Sequence, residues 1–221
     1  DYCFNLHDQR TIFNVGDTPR PATVSFLAPA HDEERSISVT RGLSMQLIAA
    51  MNSQLQKMIP GQVGRYDDAF NHNCVGDTFQ MLETPTLLFE AGHFKNDYQR
   101  ESTREYIFHA LAKALDTISG NKIKEHSRGD YFEIPENGKR FVDILIHNAD
   151  IINPKLPEGS SIGVMYKETL YNGSVEFIPT IDKTGNLQPY FGHITYDCNN
   201  PGQLQVLKQQ VFWSSLSRHF K

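Results

Sequence analysis

The segment most informative about this chain is Pro85-Thr86-Leu87-Leu88-Phe89-Glu90-Ala91-Gly92-His93-Phe94, a short apolar run that ends in a carboxylate. A continuous apolar run of this length is typical of a β-strand covered on both faces, as in parallel sheets. A charge at the end of a buried strand is costly unless it is paired, bound to a metal or used in chemistry. Catalytic groups in open α/β sheets gather at the carboxyl ends of strands. Glu90 is therefore our first candidate for catalysis, and a salt-bridged structural carboxylate is the alternative.

Strand and helix patterns alternate around this segment. Residues 2–6 and 23–27 are rich in β-forming side chains, whereas Leu and Met recur at helical spacing between residues 34 and 58. A second helix is expected to begin at Asn96 or Asp97 and to run to about Ser119. The first 120 residues thus predict an α/β layer.

The pattern changes after residue 120 to a series of short strands. We expect strands at residues 140–147, 161–170 and 174–179, with a hairpin turn at Asn172-Gly173 between the last two. The tail carries apolar residues at helical spacing and predicts a docked helix. The sequence therefore divides into one unit over residues 1–120 and a β-rich unit over residues 121–221.

The composition is that of an ordinary globular protein, with 39% hydrophobic and 21% charged residues. A formal net charge of −5 and the lack of a dense Lys/Arg block argue against a nucleic-acid partner. No apolar run approaches the roughly 18 residues that cross a bilayer, so no membrane partner is expected. Three widely spaced cysteines fit a reducing compartment and predict a cytoplasmic location.

Two histidines follow strands and are candidate metal ligands. His7 stands beside Asp8 and Gln9, either of which can orient its second ring nitrogen, as is common at zinc sites. His31 and Glu34 form a His-x-x-Glu spacing that offers one nitrogen and one oxygen. A structural histidine is the alternative for His7, and acids favoured by a helix dipole are the alternative for the second pair.

A polar stretch between residues 61 and 80 suggests a loop over a site. It contains Arg65 and Tyr66, and later Asp77. A guanidinium is well suited to a bidentate grip on a substrate carboxylate, although a surface ion pair is the more common role.

The order of these segments resembles the C-terminal half of the catalytic domain of zinc carboxypeptidases of the A/B type. In that family a strand ends in a third zinc ligand, a histidine, and Phe4-Asn5-Leu6-His7 matches it. A helix and a substrate loop follow, and a late strand ends in the catalytic glutamate, as Thr86-Leu87-Leu88-Phe89-Glu90 does. The resemblance covers residues 1–120 and implies a mixed sheet with flanking helices.

The resemblance also implies roles for these residues. His7 would bind Zn²⁺, Glu90 would activate the zinc-bound water, and Tyr66, Arg65 and Asp77 would contact substrate. The family's first two zinc ligands, a His-x-x-Glu, precede the third, which implies that an N-terminal half is missing and associates with this chain. The alternatives are a site rebuilt from His31 and Glu34 and a protein that binds no metal.

Three functions remain open at the level of the sequence. The first is a carboxypeptidase-type hydrolase that cleaves a C-terminal peptide bond. The second is an N-acyl amino acid deacylase of aspartoacylase type, which the β-rich extension resembles. The third is a non-catalytic binding module with the same fold. The expected substrate is accordingly a peptide or an acylated amino acid.

Overall fold

The computed structural model describes residues 1–220 and shows a mixed α/β protein, as the sequence predicts. The chain forms two compact units, Asp1–Lys139 and Arg140–Lys221. Within the described residues, no helix is both long enough and apolar enough to cross a membrane.

The first unit combines short strands with two long helices. Its strands are β1 (Cys3–Asp8), β2 (Asn14–Val15), β3 (Val24–Leu27), β4 (Val63–Arg65), β5 (Thr86–Ala91) and β6 (Asn137–Gly138). Its helices are α1 (Val39–Leu55), α2 (Val75–Met81), α3 (Glu101–Ser119) and α4 (Gly129–Phe132), with a 3₁₀ turn at Ile123–Glu125.

The main sheet of this unit is mixed, with the strand order β1-β5-β3-β4. Strand β5 runs parallel to β1 and antiparallel to β3, and β3 runs parallel to β4. The mixed sheet with flanking helices is therefore confirmed. Between β3 and its antiparallel neighbour β5 the chain passes through α1, β4 and α2.

The core of the first unit lies on one face of this sheet. Phe26, Leu87 and Phe89 point into it, and they pack with residues of α1 and α3 such as Leu47 and Ala110. Phe89 makes edge-on contacts with Phe26 at 5.2 Å and with Phe4 at 5.9 Å between ring centroids. Burial of these large side chains is the main stabilising contribution to the unit.

Side chains accept hydrogen bonds from first-turn amides in both long helices. Ser38 Oγ accepts a hydrogen bond from the Arg41 amide at the start of α1. The carboxylate of Asp97 accepts hydrogen bonds from the amides of Glu101 at 2.8 Å and Thr103 at 3.0 Å. The predicted cap at position 96 or 97 holds only in part: Arg100 is the residue that precedes α3 and makes no side-chain cap hydrogen bond, and Asp97 binds the first-turn amides from further upstream.

The first unit extends beyond residue 120, where the sequence placed the change of character. Ile123, Tyr131 and Ile134 belong to its hydrophobic core, and the buried Tyr131 hydroxyl accepts a hydrogen bond from the Ala28 amide at 3.2 Å. The compact unit consequently ends at Lys139. The sequence does not reveal that this segment packs on the first unit, because the stretch after Gly120 is mostly polar and contacts the core through only these three side chains.

The second unit is built on a four-stranded sheet of β7 (Phe141–His147), β8 (Ser161–Tyr171), β9 (Ser174–Gly185) and β10 (Phe191–Asp197). The strand order in this sheet is β10-β7-β8-β9. Helices α5 (Pro201–Lys208) and α6 (Trp213–Leu216) follow, with 3₁₀ turns at Ala149–Ile151 and Ser217–Phe220. The predicted tail helix is thus divided into short segments.

The hairpin turn expected at Asn172-Gly173 is confirmed. Both residues have positive φ, 48° and 82°, and Tyr171 pairs with Ser174 across the turn. Positive φ at both central residues is the geometry of a two-residue turn that matches the strand twist. The hairpin therefore fixes the register of two strands that are longer than the sequence suggested.

Gly92, directly after β5, lies where three segments of the first unit approach one another closely, and its substitution tests this packing. A Cβ atom at this position would lie 2.0 Å from the Ala22 carbonyl oxygen and 2.1 Å from Gln9 Nε2. We expect Gly92→Ala to lower the free energy of unfolding by about 1–3 kcal/mol, because backbone and a buried amide must move apart. Urea denaturation measures this loss.

Gly129→Ala is the matched control, because its nearest contact would be Ser127 Oγ at 3.2 Å. A Gly92→Ala variant as stable as Gly129→Ala would contradict the close approach of these three segments.

Candidate functional site

Three polar side chains form a row across the main sheet of the first unit. Glu90 on β5 is paired in register with His7 on the parallel strand β1 and with Ser25 on the antiparallel strand β3. Residues paired in this way project from the same face of a sheet, and neighbouring strands lie about 4.8 Å apart. The structure therefore brings two sequence-predicted residues, His7 and Glu90, side by side.

This row occupies the face opposite the hydrophobic core. Leu87 and Phe89 on β5 point into the core. Because side chains alternate along a strand, Glu90 projects from the opposite face of the sheet. His7 is exposed and Glu90 is half-buried. An apolar strand thus delivers a carboxylate to a face that a ligand can reach.

The carboxyl of Glu90 is held in an unusual electrostatic state. Burial, and secondarily the negative charge of Asp8, raise its pKa to about 7. The Glu90 carboxyl has no hydrogen bond or ion pair with any other side chain or backbone group that the structure describes. It is not the salt-bridged carboxylate of the alternative interpretation, and near neutral pH it can both accept and release a proton.

Asp8 is fixed beside this row by an arginine from the start of α3. Arg100 Nε donates to Asp8 Oδ1 at 3.1 Å, and the same guanidinium donates to the Gln9 carbonyl at 3.1 Å. Arg100 itself has a left-handed backbone with φ of 62°. Its charge, which opposes the dipole of α3, is therefore compensated by a nearby acid.

Tyr66 follows β4 and lies close to Glu90. Its amide donates to the Phe26 carbonyl at 3.0 Å, and its ring packs on Phe13 with 5.2 Å between centroids. Burial and the negative charge of Glu90 raise the pKa of the Tyr66 hydroxyl. The phenol is therefore neutral and a hydrogen-bond donor across the physiological range.

A chain of buried polar side chains continues from the Ser25 end of the row, and the sequence did not indicate it. Asn137 Nδ2 donates to Ser25 Oγ at 3.0 Å, and Gln9 Nε2 contacts the same oxygen at 3.4 Å. Gln9 is 3% exposed and also donates to the Ala22 carbonyl. Its Oε1 has no hydrogen-bond partner among the described residues. A serine inside the apolar strand β3 was the one available sequence signal.

Arg65 is placed away from this row. It is paired with Phe26 and so projects from the core face, where it donates to Glu136 Oε1 at 2.9 Å and to the Ile134 carbonyl at 3.3 Å. Its guanidinium also lies over the Tyr131 ring at 5.4 Å. Arg65 therefore anchors the segment that carries Tyr66.

Asp77 lies in the first turn of α2 and is nearly buried. Its Oδ2 accepts a hydrogen bond from the Asn71 amide at 3.0 Å. Burial raises the pKa of Asp77, partly offset by this bond. A second anchor of the same loop is Asp68, whose carboxylate pairs with the buried guanidinium of Arg41. Asp77 thus fastens the loop that follows Tyr66.

The alternative metal pair is not brought together with Glu90 in this row. His31 Nε2 lies 3.1 Å from Asp32 Oδ2 and 3.5 Å from Ser36 Oγ, in the loop after β3. Glu34 is exposed in the same loop. Among the described residues, no group of three or more His, Cys, Asp or Glu side chains is arranged to hold one metal ion.

Comparisons with known proteins give no further guide to the site. No protein-family model, no curated protein and no solved structure matches this chain. The chemistry of the site is therefore inferred from the geometry of the row itself. An imidazole, a carboxyl that titrates near neutrality and a neutral phenol are a set suited to proton transfer at a bound ligand.

The titration of Glu90 predicts a specific pH dependence of stability. Its pKa in the folded state, about 7, lies above the ordinary value of 4.5, so the folded state binds the proton more tightly. The stabilising contribution is complete below pH 4.5 and is lost as the pH rises through 7. Glu90→Gln removes the charge that is costly in the folded state at high pH. We therefore expect the unfolding free energy of the variant minus that of the wild type to be about 1–2 kcal/mol larger at pH 8 than at pH 4.5, after allowance for solvent screening.

Chemical denaturation of wild type and variant at both pH values measures this difference. Glu133→Gln removes an exposed carboxylate of the same unit and serves as the control. An equal pH response in both variants would show that Glu90 titrates as an ordinary surface acid.

Proposed function

We propose that this protein is a zinc-dependent hydrolase of carboxypeptidase type, with a carboxypeptidase-like first unit, that cleaves a C-terminal peptide bond. The observation that supports the proposal is the register pairing of His7 with Glu90 on parallel strands. This pairing puts an imidazole, a group that can bind zinc, beside a half-buried carboxyl on the accessible face of one sheet. The same face carries Tyr66, the third group that the resemblance assigns to the site.

Glu90 is the proposed general base. A carboxyl with a pKa of about 7 is matched to proton transfer at neutral pH, because both protonation states are populated. In the proposed reaction Glu90 accepts a proton from the attacking water and then delivers it to the leaving amine. Its freedom from ion pairs within the described residues favours this role, since a salt-bridged carboxylate would be a weaker base.

Zinc is the proposed cofactor, and His7 is its proposed ligand in this chain. When bound, zinc lowers the pKa of a coordinated water to about 7 and polarises a carbonyl. Catalytic zinc takes three protein ligands, and His7 offers one nitrogen to this face. We propose that another polypeptide segment supplies the remaining ligands. Strand β1 is an edge strand, so the side of the sheet next to His7 is open to such a segment.

Tyr66 is the proposed substrate contact. Its neutral hydroxyl donates a hydrogen bond, and its position is secured on both sides: Arg65 is bound to Glu136, and Asp77 holds the Asn71 amide. Arg65 and Asp77 accordingly act on substrate through the placement of Tyr66. The three cysteines are free thiols, which suits the cytoplasmic location proposed for this chain.

The role of Glu90 can be separated from zinc binding. We expect Glu90→Gln to reduce the rate of release of a C-terminal amino acid from a peptide by about 10³-fold or more, because the proton acceptor is lost. The protein is assayed together with any polypeptide that copurifies with it. Zinc content, measured by metal analysis, should remain at the wild-type level.

His7→Ala should instead lower both zinc content and activity, and Glu133→Gln should change neither. A Glu90→Gln variant that retains activity would overturn the assignment of the base. A wild-type preparation without stoichiometric zinc would overturn the hydrolase itself and favour a non-catalytic binding module. Release of acyl groups from N-acyl amino acids, with no cleavage of peptides, would favour the deacylase.

A further inference from the structure

A second site lies in the second unit, where the ends of four strands meet. Strands β7 and β10 are parallel and finish together, with His147 paired to Asp197. The antiparallel β8 starts at the same edge with Ser161, which is paired to Gly185 at the end of β9. The carboxyl ends of adjacent parallel strands are a common position for ligand sites in α/β sheets.

These strand ends line an open cavity of about 450 Å³, within the size range of small-molecule sites. Ser161 is buried at its base, and His147, Asn148 and Asp197 form half-buried walls. The rim consists of the exposed side chains of Glu158, Asn186 and Gln188. Every one of these side chains is polar, and no Lys or Arg is among the lining residues.

The walls are held in place by hydrogen bonds between the strand ends. His147 Nδ1 and Ser161 Oγ are 3.0 Å apart, which leaves Nε2 of the imidazole for another partner. Asn148 Nδ2 donates to Asp197 Oδ1 at 2.7 Å from a left-handed backbone with φ of 52°. The Asn199 amide donates to the same oxygen at 2.9 Å, so Oδ2 of Asp197 stays available.

The arrangement favours binding over nucleophilic catalysis. The hydroxyl of Ser161 is bonded to Nδ1 of His147, and the Asp197 carboxylate is engaged by Asn148 and Asn199 rather than by the imidazole. A catalytic Ser-His-Asp triad requires the acid to orient the ring nitrogen that is not bonded to the serine. That acid–imidazole bond is not among the hydrogen bonds of the described residues.

The chemistry of the lining also selects the ligand. An anionic ligand would be repelled by two carboxylates and would find no Lys or Arg to bind. An apolar ligand would displace water from the polar side chains without making hydrogen bonds in its place. A hydroxyl both donates and accepts, and so it suits a lining that combines acceptor-only carboxylates with amides that do both. A ligand with many hydroxyls can therefore satisfy the walls and rim together.

We propose that the cavity at the His147–Asp197 end of the second sheet binds a sugar, and binds it more tightly when the sugar carries an amine that faces Glu158. This site is separate from the Glu90 row and does not depend on the hydrolase proposal. The second unit is thereby a sugar-binding module.

Side-chain amide signals in ¹⁵N–¹H NMR spectra test the proposal directly, because three of the lining residues carry amides. Glucose, glucosamine and glucose 6-phosphate are titrated separately into the full-length protein. We expect glucose and glucosamine to shift the side-chain signals of Asn148, Asn186 and Gln188 with saturable curves. Glucosamine should bind more tightly than glucose, and glucose 6-phosphate should produce no saturable shift.

Variants at the rim distinguish sugar binding in this cavity from non-specific binding elsewhere on the protein. Glu158 has no hydrogen bond or ion pair with the other described residues, so Glu158→Gln should leave the fold intact. We expect Glu158→Gln to weaken glucosamine binding by about 3–10-fold and to leave glucose binding unchanged. Glu176→Gln, which removes an exposed carboxylate on β9, should change neither affinity.

Gln188→Ala should weaken both sugars, whereas Gln205→Ala on the exposed face of α5 should weaken neither. Absence of saturable shifts with either sugar would overturn the proposal. So would tighter binding of glucose 6-phosphate. Saturation of the same signals by Ca²⁺ alone, with no response to sugars, would identify a cation site and overturn it as well.

Discussion

The parallel pairing of β1 with β5 is the constraint on which the candidate site depends. In this register His7 stands beside Glu90, and Phe89 stands beside Leu6. Because side chains alternate along a strand, a slip of one residue would turn Glu90 into the core and Phe89 out to solvent. The burial of Phe89 against Phe26 therefore does more than stabilise the unit, since it keeps the carboxylate on the accessible face.

The site exists through a balance between burial and charge. Glu90 is buried enough for its pKa to rise to about 7, and Asp8 adds a second negative charge nearby. Arg100 holds Asp8, and no described residue forms an ion pair with Glu90. A Lys or Arg side chain bonded directly to Glu90 would occupy the carboxyl and lower its pKa, and so would compete with the proposed proton transfer.

The two units place their polar groups by a common rule. In each, apolar strands build a core and the polar residues collect where neighbouring strands run side by side or end together. In the first unit the polar set is a row across three strands that includes Ser25 and Glu90. In the second unit it is a cavity at the ends of four strands, with Ser161 at its base. Packing of the cores thus supplies the rigidity that both sites need.

The sequence predicts the features that depend on local patterns. The apolar run before Glu90, the helical spacing in α1 and the Asn172-Gly173 turn follow from short-range preferences, and the structure has each of them. It also indicated His7 and Glu90 as candidates, because a polar group at the end of an apolar strand is a local signal.

Which residues come into contact depends on tertiary packing. The direction of β3 against β5, the Gln9–Ser25–Asn137 chain and the anchoring of Arg65 join segments far apart along the chain. Such contacts follow from how whole strands and helices pack to bury apolar surface, and no short stretch of residues encodes that choice. Local preferences thus identified the groups that can act, and packing determined their partners.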